Sequence, residues 1–455
     1  MKNNAVVPEL DPGFLPAALW NREYRELAKK KASHPLAVTL ERANGAISRF
    51  DTVVLEETPE NEALNLRYVE RLVKFLLWAQ GGWRVTIAGA PKTAEKLRRM
   101  YSPSGERAFD CAMMGRRIYD RDFTVVGTTY DQAPEPRDVA LKLGGNFSGC
   151  RIGFDLGGSD RKCAAVIDGK VVHSEEVVWD PYFQSDIEYH KAGILDSLRR
   201  AAAKLPRIDA IGGSAAGVYV DNQPRLASLF RGIPEADFPV KVRPVFQEIA
   251  KEFPGVPFTV INDGEVTALA GALSMKRNAL LGLAMGTSEA VGYVTPSGNL
   301  TDYLNELAFA PVDYREENAP SDEWSQDRGV GANYLSQQAV GRLAPAAGFA
   351  FAAGMPLPEQ LKSVQAAMAA GDERAVRIYR SIGVYLGYAA AHYADFYRME
   401  NLLLLGRVSS GEGGSVIIDF AKQVLEREFP ELHIEFLLPD ETFKRHGQAV
   451  IAATL

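Results

Sequence analysis

Residues 151–172, RIGFDLGGSDRKCAAVIDGKVV, constrain the fold more than any other stretch of the chain. Two apolar runs of strand length flank a polar loop that holds an aspartate, two glycines and a serine. Asp168-Gly169 then turns the chain into a third run, KVVHSEEVVW. A helix-patterned segment, DIEYHKAGILDSLRRAAAKL, leads to the strand RIDAIGGSAAG. The alternation continues through the strand PFTVIND, the helix GEVTALAGALSM and the strand ALLGLAMGTSEAVGYVTP. Several helices follow between Trp324 and Arg398, then the strand NLLLL, the helix SVIIDFAKQVLEREF, the short strand HIEFLLP and a last helix, FKRHGQAVIAATL. Strands alternating with helices predict an α/β protein.

The first part of the chain is organised differently. Residues 1–35 read as a tail or arm, with Pro8, Pro12 and Pro16 ahead of a short charged helix. PLAVTLERANGAISRFDTVVL predicts a hairpin turning at Asn44-Gly45. The helix NEALNLRYVERLVKFLLWAQGG, the strand WRVTIAGAP and the helix KTAEKLRRMY come next. The loop-like DQAPEPRDVALKLGGNFSG marks a domain boundary near residue 148. Hairpin, helix, strand and glycine thus occur twice. Residues 36–130 are either a worn copy of the second unit or an instance of a common α/β building block. In both cases this first copy lacks the Asp-Leu-Gly-Gly loop, and no chemistry is expected there.

A chain of 455 residues implies two or three domains. The formal charge of −7 argues against generic binding to nucleic acid or to an anionic membrane. Cys111, Cys150 and Cys163 are scattered, show no metal-ligand spacing and fit a reducing cytoplasm. The N-terminus has acids and prolines where a signal peptide needs an apolar core. No run approaches the roughly 20 apolar residues of a membrane span. A cytoplasmic protein is therefore expected.

Three glycine-bearing loops each follow a strand: DLGGSDRK (155–162), MGTSE (285–289) and LGRVSSGEGG (405–414). Gly157 and Gly158 permit close backbone approach to a ligand, and Ser159, Thr287 and Ser288 add hydroxyls. Successive N–H groups in such turns form an anion-binding concavity, although any one loop alone most often just turns the chain. Asp155 beside a phosphate cradle repels the phosphate unless a cation lies between, which suggests Mg²⁺ held directly or through water; the plain alternative is a turn cap. Asp263 ends an apolar strand and begins a helix, in VINDGEVTALAGAL. It reads either as an N-cap or as a general base that takes the proton of an attacking hydroxyl. Asn262 beside it offers an amide to a neighbouring hydroxyl.

The order of DxGG-S loop, Asn-Asp helix start, Gly-Thr-Ser loop and late glycine loop resembles the ROK family of sugar kinases and repressors. That family lies within the actin-like ATPase, sugar kinase and Hsp70 superfamily. The resemblance covers about residues 150–455. It implies two ribonuclease-H-like lobes around a cleft, here preceded by an additional N-terminal α/β domain. The expected divisions are 1–148, 149–275 for the first lobe, and 276–455 for the second, with the last helix either in that lobe or packed back on the first. It implies ATP and Mg²⁺ as cofactors and a sugar or polyol as substrate. Asp155, Gly157, Gly158, Ser159 and Lys162 would serve the first phosphate loop; Gly286, Thr287 and Ser288 the second. Gly406 and Gly411 would lie near the adenosine, Asp263 would be the catalytic base, and Asn262 and Glu306 would contact the sugar.

The departures are as informative. The family carries Glu-x-Gly-His and a cysteine-rich zinc loop. Here Glu306 is followed by Ala308 and Phe309 in the places of Gly and His, and no cysteine stands anywhere between Arg315 and Leu343. The family's zinc loop supplies cysteine ligands and none stands here, so no zinc is expected at this place. Ala332 occupies the position of a second sugar-binding glutamate. Each missing group costs on the order of 1–3 kcal/mol for a hydroxyl left without a partner. Glucose held in the usual way is therefore not expected; Glu306, Asn333, Gln337 and Gln338 are the candidates for a rearranged set. Arg407 replaces a glycine and would either reach a phosphate or crowd the adenine. His190 and His392 read as packing or surface residues. The tyrosines of 379–399 read as a helix–helix core or a dimer interface before a stacking platform, which leaves a homodimer open. The first expectation is an ATP-dependent kinase of a sugar or polyol; the second is a non-catalytic sensor on the same fold. The first 150 residues show no compact recognition helix for DNA.

Overall fold

The computed structural model describes residues 6–137, 143–439 and 447–455. The start of the expected last helix lies outside them. The chain divides into two compact units. Met1–Val139, Leu283–Val291 and Asp302–Leu438 form one; Ala140–Gly282, Gly292–Thr301 and Pro439–Leu455 form the other.

In the first unit the N-terminal segment is not a tail. Val6, Asp11 and Phe14 are buried. Asp11 receives bonds from Arg315 Nη1 at 2.7 Å, Arg342 Nη1 at 2.8 Å and the Tyr385 hydroxyl at 2.7 Å. Burial opposes its ionisation, but these donors prevail and hold its carboxyl down at about 2. The arm leads into helix α1 (Ala17–Lys30), whose Trp20 and Tyr24 stack toward Tyr68. Local sequence could not show this, because the partners of the Asp11 carboxylate lie about 300 residues or more away.

Strands β1 (Ser33–Glu41) and β2 (Ile47–Leu55) form the expected hairpin, with positive φ at Asn44 and Gly45. Helix α2 (Glu62–Gln80), strand β3 (Arg84–Ala88), helices α3 (Pro91–Met100) and α4 (Ala108–Ala112) and strand β4 (Thr124–Thr128) follow. The sheet order is β2-β1-β3-β4; β3 runs antiparallel to β1 and parallel to β4.

In the second unit three strands precede the helix: β5 (Cys150–Leu156), β6 (Asp160–Ile167) and β7 (Lys170–Val178), joined antiparallel. After α5 (Ile187–Ala202), strand β8 (Ala210–Ala215) returns parallel to β5. The short pair β9 (Val218–Val220) and β10 (Gln223–Leu226) and helix α6 (Val245–Ala250) lead to β11 (Phe258–Asn262), parallel to β8, and to α7 (Asp263–Met275). The order β11-β8-β5-β6-β7 thus differs from the N-terminal sheet in strand number and in the direction of the returning strand. Every residue of β5 and β8 is buried, which explains their continuous apolar runs.

The stretch 279–296, expected as a single strand, is a hairpin of β12 (Leu280–Met285) and β13 (Glu289–Val294). Gly286, Thr287 and Ser288 make its turn, with the Gly286 N–H bonded to the Ser288 carbonyl at 3.0 Å. The turn is the MGTSE loop singled out in the sequence. Helices α8 (Gln337–Ala347), α9 (Leu357–Ala369) and α10 (Glu373–Ala394), strand β14 (Asn401–Leu405), helix α11 (Glu412–Glu428) and strand β15 (Glu435–Leu437) complete the first unit. The sheet order here is β13-β12-β14-β15. Tyr379, Tyr385, Tyr388 and Tyr393 of α10 are buried within the chain, so these tyrosines are core and do not offer a dimer surface. His190 and His392 are buried as well.

Helix α12 (Gln448–Ala452) ends the second unit and packs on β5 and β8 at two glycines. A Cβ on Gly153 would stand 1.7 Å from the Ala449 carbonyl oxygen, and one on Gly212 would stand 1.8 Å from that of Ala452. Both obstacles are backbone, which cannot rotate away. Gly153→Ala is therefore expected to dislodge α12 and to cost on the order of 1–3 kcal/mol. A lowered melting temperature and faster digestion by carboxypeptidase would show it; an unchanged C-terminus would contradict it.

Candidate functional site

The parallel strands β5, β8 and β11 deliver their carboxyl ends side by side, with Leu156 level with Ala215, and Ala215 level with Asn262. Ligands of open α/β sheets bind at such ends. A pocket of about 160 Å³ opens there, lined by Asp155, Gly157, Gly158, Tyr182, Asp263 and Gln448 among others. Asp155 and Asp263, far apart in sequence, thus share one pocket.

Asp155 is 7% exposed. It pairs across β5–β6 with Lys162 and lies beside Ser214 on β8. The Gln448 amide bridges to it: with its nitrogen toward the carboxylate it donates at 2.9 and 3.2 Å, while its oxygen accepts from Thr267 Oγ1 at 2.7 Å. The carboxyl is pushed up to about 6, first by burial and then by the charges of Asp263 and Asp160; Ser214 and Lys162 oppose the rise. Asp155 caps no turn. Its direct partners are neutral, and the Lys162 ammonium is paired with Asp160. A buried carboxylate with neutral partners, on the wall of an open pocket, suits a divalent cation, so the residues present fit Mg²⁺.

This geometry has a cost in stability. The folded carboxyl binds its proton more tightly than the unfolded one, whose value is 3.8. The contribution of this one carboxyl to stability therefore falls as pH rises between about 4 and 6, and the loss persists above that window. Asp155→Asn is expected to stabilise the protein at pH 7 by on the order of 2–3 kcal/mol and to have no such effect below pH 4. Paired thermal melts at pH 3.5 and 7 check this; equal melting temperatures at pH 7 would contradict it.

The loop after β5 is tight. The Gly157 N–H bonds the Asp160 carbonyl at 2.9 Å, and Trp179 Nε1 donates to the Gly157 carbonyl at 2.8 Å. A Cβ on Gly158 would stand 2.2 Å from the Tyr182 ring. Ser159 is exposed, and its hydroxyl bonds Asp160 Oδ2 at 2.9 Å.

Asn262, not Asp263, is the N-cap of α7. Its Oδ1 accepts from the Gly264 N–H at 2.7 Å, and its Nδ2 donates to the Gly217 carbonyl at 2.7 Å. That leaves the Asn262 amide one N–H for a ligand. Asp263 Oδ1 also accepts from the Gly264 N–H, at 2.9 Å. Burial lifts the Asp263 carboxyl above its ordinary value, and backbone N–H bonds oppose that rise.

In the first unit Thr287 and Ser288 are exposed at the tip of the β12–β13 turn. Gly406, at φ 93°, lies so close to β12 that a Cβ would meet the Met285 backbone at 2.5 Å. The Val408 N–H bonds the Met285 carbonyl at 3.2 Å. The second and third glycine loops are therefore neighbours. Gly411 is the N-cap of α11, with open space around it. Arg407 is exposed, and its carbonyl accepts from Gln365 Nε2 at 2.7 Å.

Glu306 is half-buried, its N–H bonded to the Trp78 carbonyl of α2 at 2.9 Å. Ala308 is buried, and Phe309 packs on Trp78 and Trp324 with ring centroids 4.6 and 5.0 Å away. Phe309, expected in the place of a histidine, is thus a ring in an aromatic cluster. Ala332 is buried, and Asn333 Nδ2 donates to Gln338 Oε1 at 2.9 Å. Ser336 is the N-cap of α8, and the Gln337 N–H bonds the Gly286 carbonyl at 2.9 Å. Sequence reading missed Gln448, Ser214, Tyr182 and the buried Glu289. Only Glu289, directly after the Gly-Thr-Ser turn, stands near a motif. Burial pushes its carboxyl up to about 8, while a bond from the Tyr393 hydroxyl at 3.0 Å opposes the rise.

No protein-family model matches the sequence, and neither does any curated protein. Solved structures do match. A ROK hexokinase from Thermus thermophilus is 19% identical, with a TM-score of 0.52 over 67% of this chain and 97% of that one. A ROK family transcriptional regulator, described as a homologue of the E. coli MLC protein, is 21% identical, with a TM-score of 0.53 over 68% of this chain and 78% of that one. Over about two thirds of its length, this α/β chain has the actin-like ATPase fold of the ROK proteins.

Proposed function

We propose that this protein is an ATP- and Mg²⁺-dependent kinase that phosphorylates a hydroxyl of a sugar or polyol. The observation that carries the reading is the pairing of Asp155 and Asp263 in one pocket at the ends of parallel strands. Asp263, with its carboxyl lifted by burial, accepts the proton of the attacking hydroxyl. The free N–H of Asn262 steadies a neighbouring hydroxyl. Asp155, oriented by Gln448, holds the cation, which neutralises charge on the phosphates when bound. Backbone N–H groups around Gly157 and Gly158, and the exposed Thr287 and Ser288, are assigned to the phosphates; Lys162 adds positive charge beside the first loop. Gly406 and Gly411 are assigned to the adenosine, and Glu306 to the substrate. The known proteins that share the fold include a hexokinase, which supports this reading.

The test is ADP release by the purified protein with ATP, Mg²⁺ and a panel of sugars and polyols. Stimulation by at least one compound is expected. No release with any compound, together with no nucleotide binding, would overturn the reading.

A second reading, a non-catalytic sensor, is favoured by Phe309 and Ala332, which remove two polar groups from the expected sugar contacts. A transcriptional regulator also shares the fold. Calorimetry separates the two: sugar binding in both wild type and Asp263→Asn, with turnover in neither, supports the sensor.

A further inference from the structure

Strand pairing in the second unit brings together three metal-ligating residues that sequence spacing does not reveal. Cys163 on β6 lies opposite Glu175 on β7, and His173 is two residues from Glu175 on the same face. This is the face packed by α5, opposite the one that carries Asp155 and Lys162. One ligand atom from each of Cys163, His173 and Glu175 lies within 4.8 Å of the others. His173 Nε2 is enclosed by protein and makes no hydrogen bond. It stands 3.7 Å from Glu175 Oε2, beyond hydrogen-bonding reach. The other carboxylate oxygen, Oε1, accepts from Arg200 Nη1 at 2.7 Å. Arg200 therefore fixes the carboxylate with its second oxygen toward the imidazole.

We propose that Cys163, His173 and Glu175 form a zinc site whose fourth ligand comes from solvent. A sulfur, a nitrogen and an oxygen donor suit a borderline divalent cation rather than Mg²⁺ or Ca²⁺. Zinc bonds of about 2.0–2.3 Å require the three donors to close in by about an ångström, within the reach of χ rotation. The thiol is held above its ordinary value by burial and by Glu175, with Arg161 and Arg200 opposing, so metal binding releases its proton to solvent. Thiolate and carboxylate together then balance the cation's charge. The enclosed His173 nitrogen gains the partner it lacks.

Chelator-treated full-length protein titrated with Co²⁺ tests this without reference to ATP or any sugar. One equivalent per chain is expected, with a near-ultraviolet thiolate-to-cobalt band that Zn²⁺ abolishes by displacement. Cys163 is a core residue, so His173→Ala, on the edge strand, carries the test alongside Cys163→Ser. His173→Ala is expected to stay folded by circular dichroism and to weaken binding at least about tenfold. A folded wild type that shows no thiolate-to-cobalt band overturns the proposal, and so does undiminished affinity in His173→Ala.

Discussion

Asp263→Asn is expected to lower kcat for the best substrate by roughly 10²–10⁴-fold, the usual contribution of a general base. Nucleotide affinity should change little, because the substitution keeps the side chain's size and its oxygen can still accept from the Gly264 N–H. The start of α7 should be undisturbed, since its cap is Asn262. The change therefore separates the base from the cap, two roles the sequence leaves open for the same residue. Single-turnover and steady-state rates, read beside calorimetric binding of an ATP analogue, measure the effect. A fall in kcat with unchanged affinity is the signature of an interaction made in the transition state. A variant with wild-type turnover would remove Asp263 from the chemistry.

Most of what was legible in the sequence was local. The continuous apolar runs of β5 and β8 showed buried strands because both faces of those strands are covered. Asn44-Gly45 and Asp168-Gly169 were readable as turns because positive φ favours these residues. Asp155 and Asp263 were readable because each interrupts an apolar run at a strand end. What escaped depends on partners distant in the chain. Gln448 gives no sign of its contact with Asp155, since α12 reaches β5 only because Gly153 and Gly212 leave it room. Asp11 looked like one acid in a tail because Arg315, Arg342 and Tyr385 lie about 300 residues or more away. Cys163 looked scattered because antiparallel register, not spacing, sets it beside Glu175 and His173. The stretch after Arg315 showed only that it holds no cysteine; what secures it was out of view.

That stretch is held by charge, and removing one charge should have the largest effect on stability. Asp327, from the segment between β13 and α8, meets Arg107 Nη1 at 2.9 Å, Lys74 Nζ at 3.2 Å and Arg71 Nη1 at 3.5 Å. Arg71 and Arg107 also bind Glu70, each at 2.6 Å, and Lys74 binds Asp110 at 2.6 Å. Trp78 Nε1 donates to the same Asp110 oxygen at 2.7 Å. Three cations and three carboxylates balance in a largely buried cluster, so taking out one carboxylate leaves a positive charge there uncompensated. Asp327→Ala is expected to cost about 3–5 kcal/mol, the usual penalty for breaking a buried pair from one side. Burial alone would raise the carboxyls of Asp327 and Glu70, but their arginine and lysine neighbours outweigh it and hold both below their ordinary values. Depressed carboxyls contribute stability above the unfolded-state values near 4, and that contribution is lost as pH falls through the folded-state values. The wild type should thus lose stability steeply from about pH 5 downward, and Asp327→Asn should show a shallower acid limb from a lower plateau. Denaturant melts at a series of pH values measure both. Equal plateaus at pH 7 would mean that the six charges are not mutually dependent, and that packing of Phe309 and Trp324 alone secures the segment.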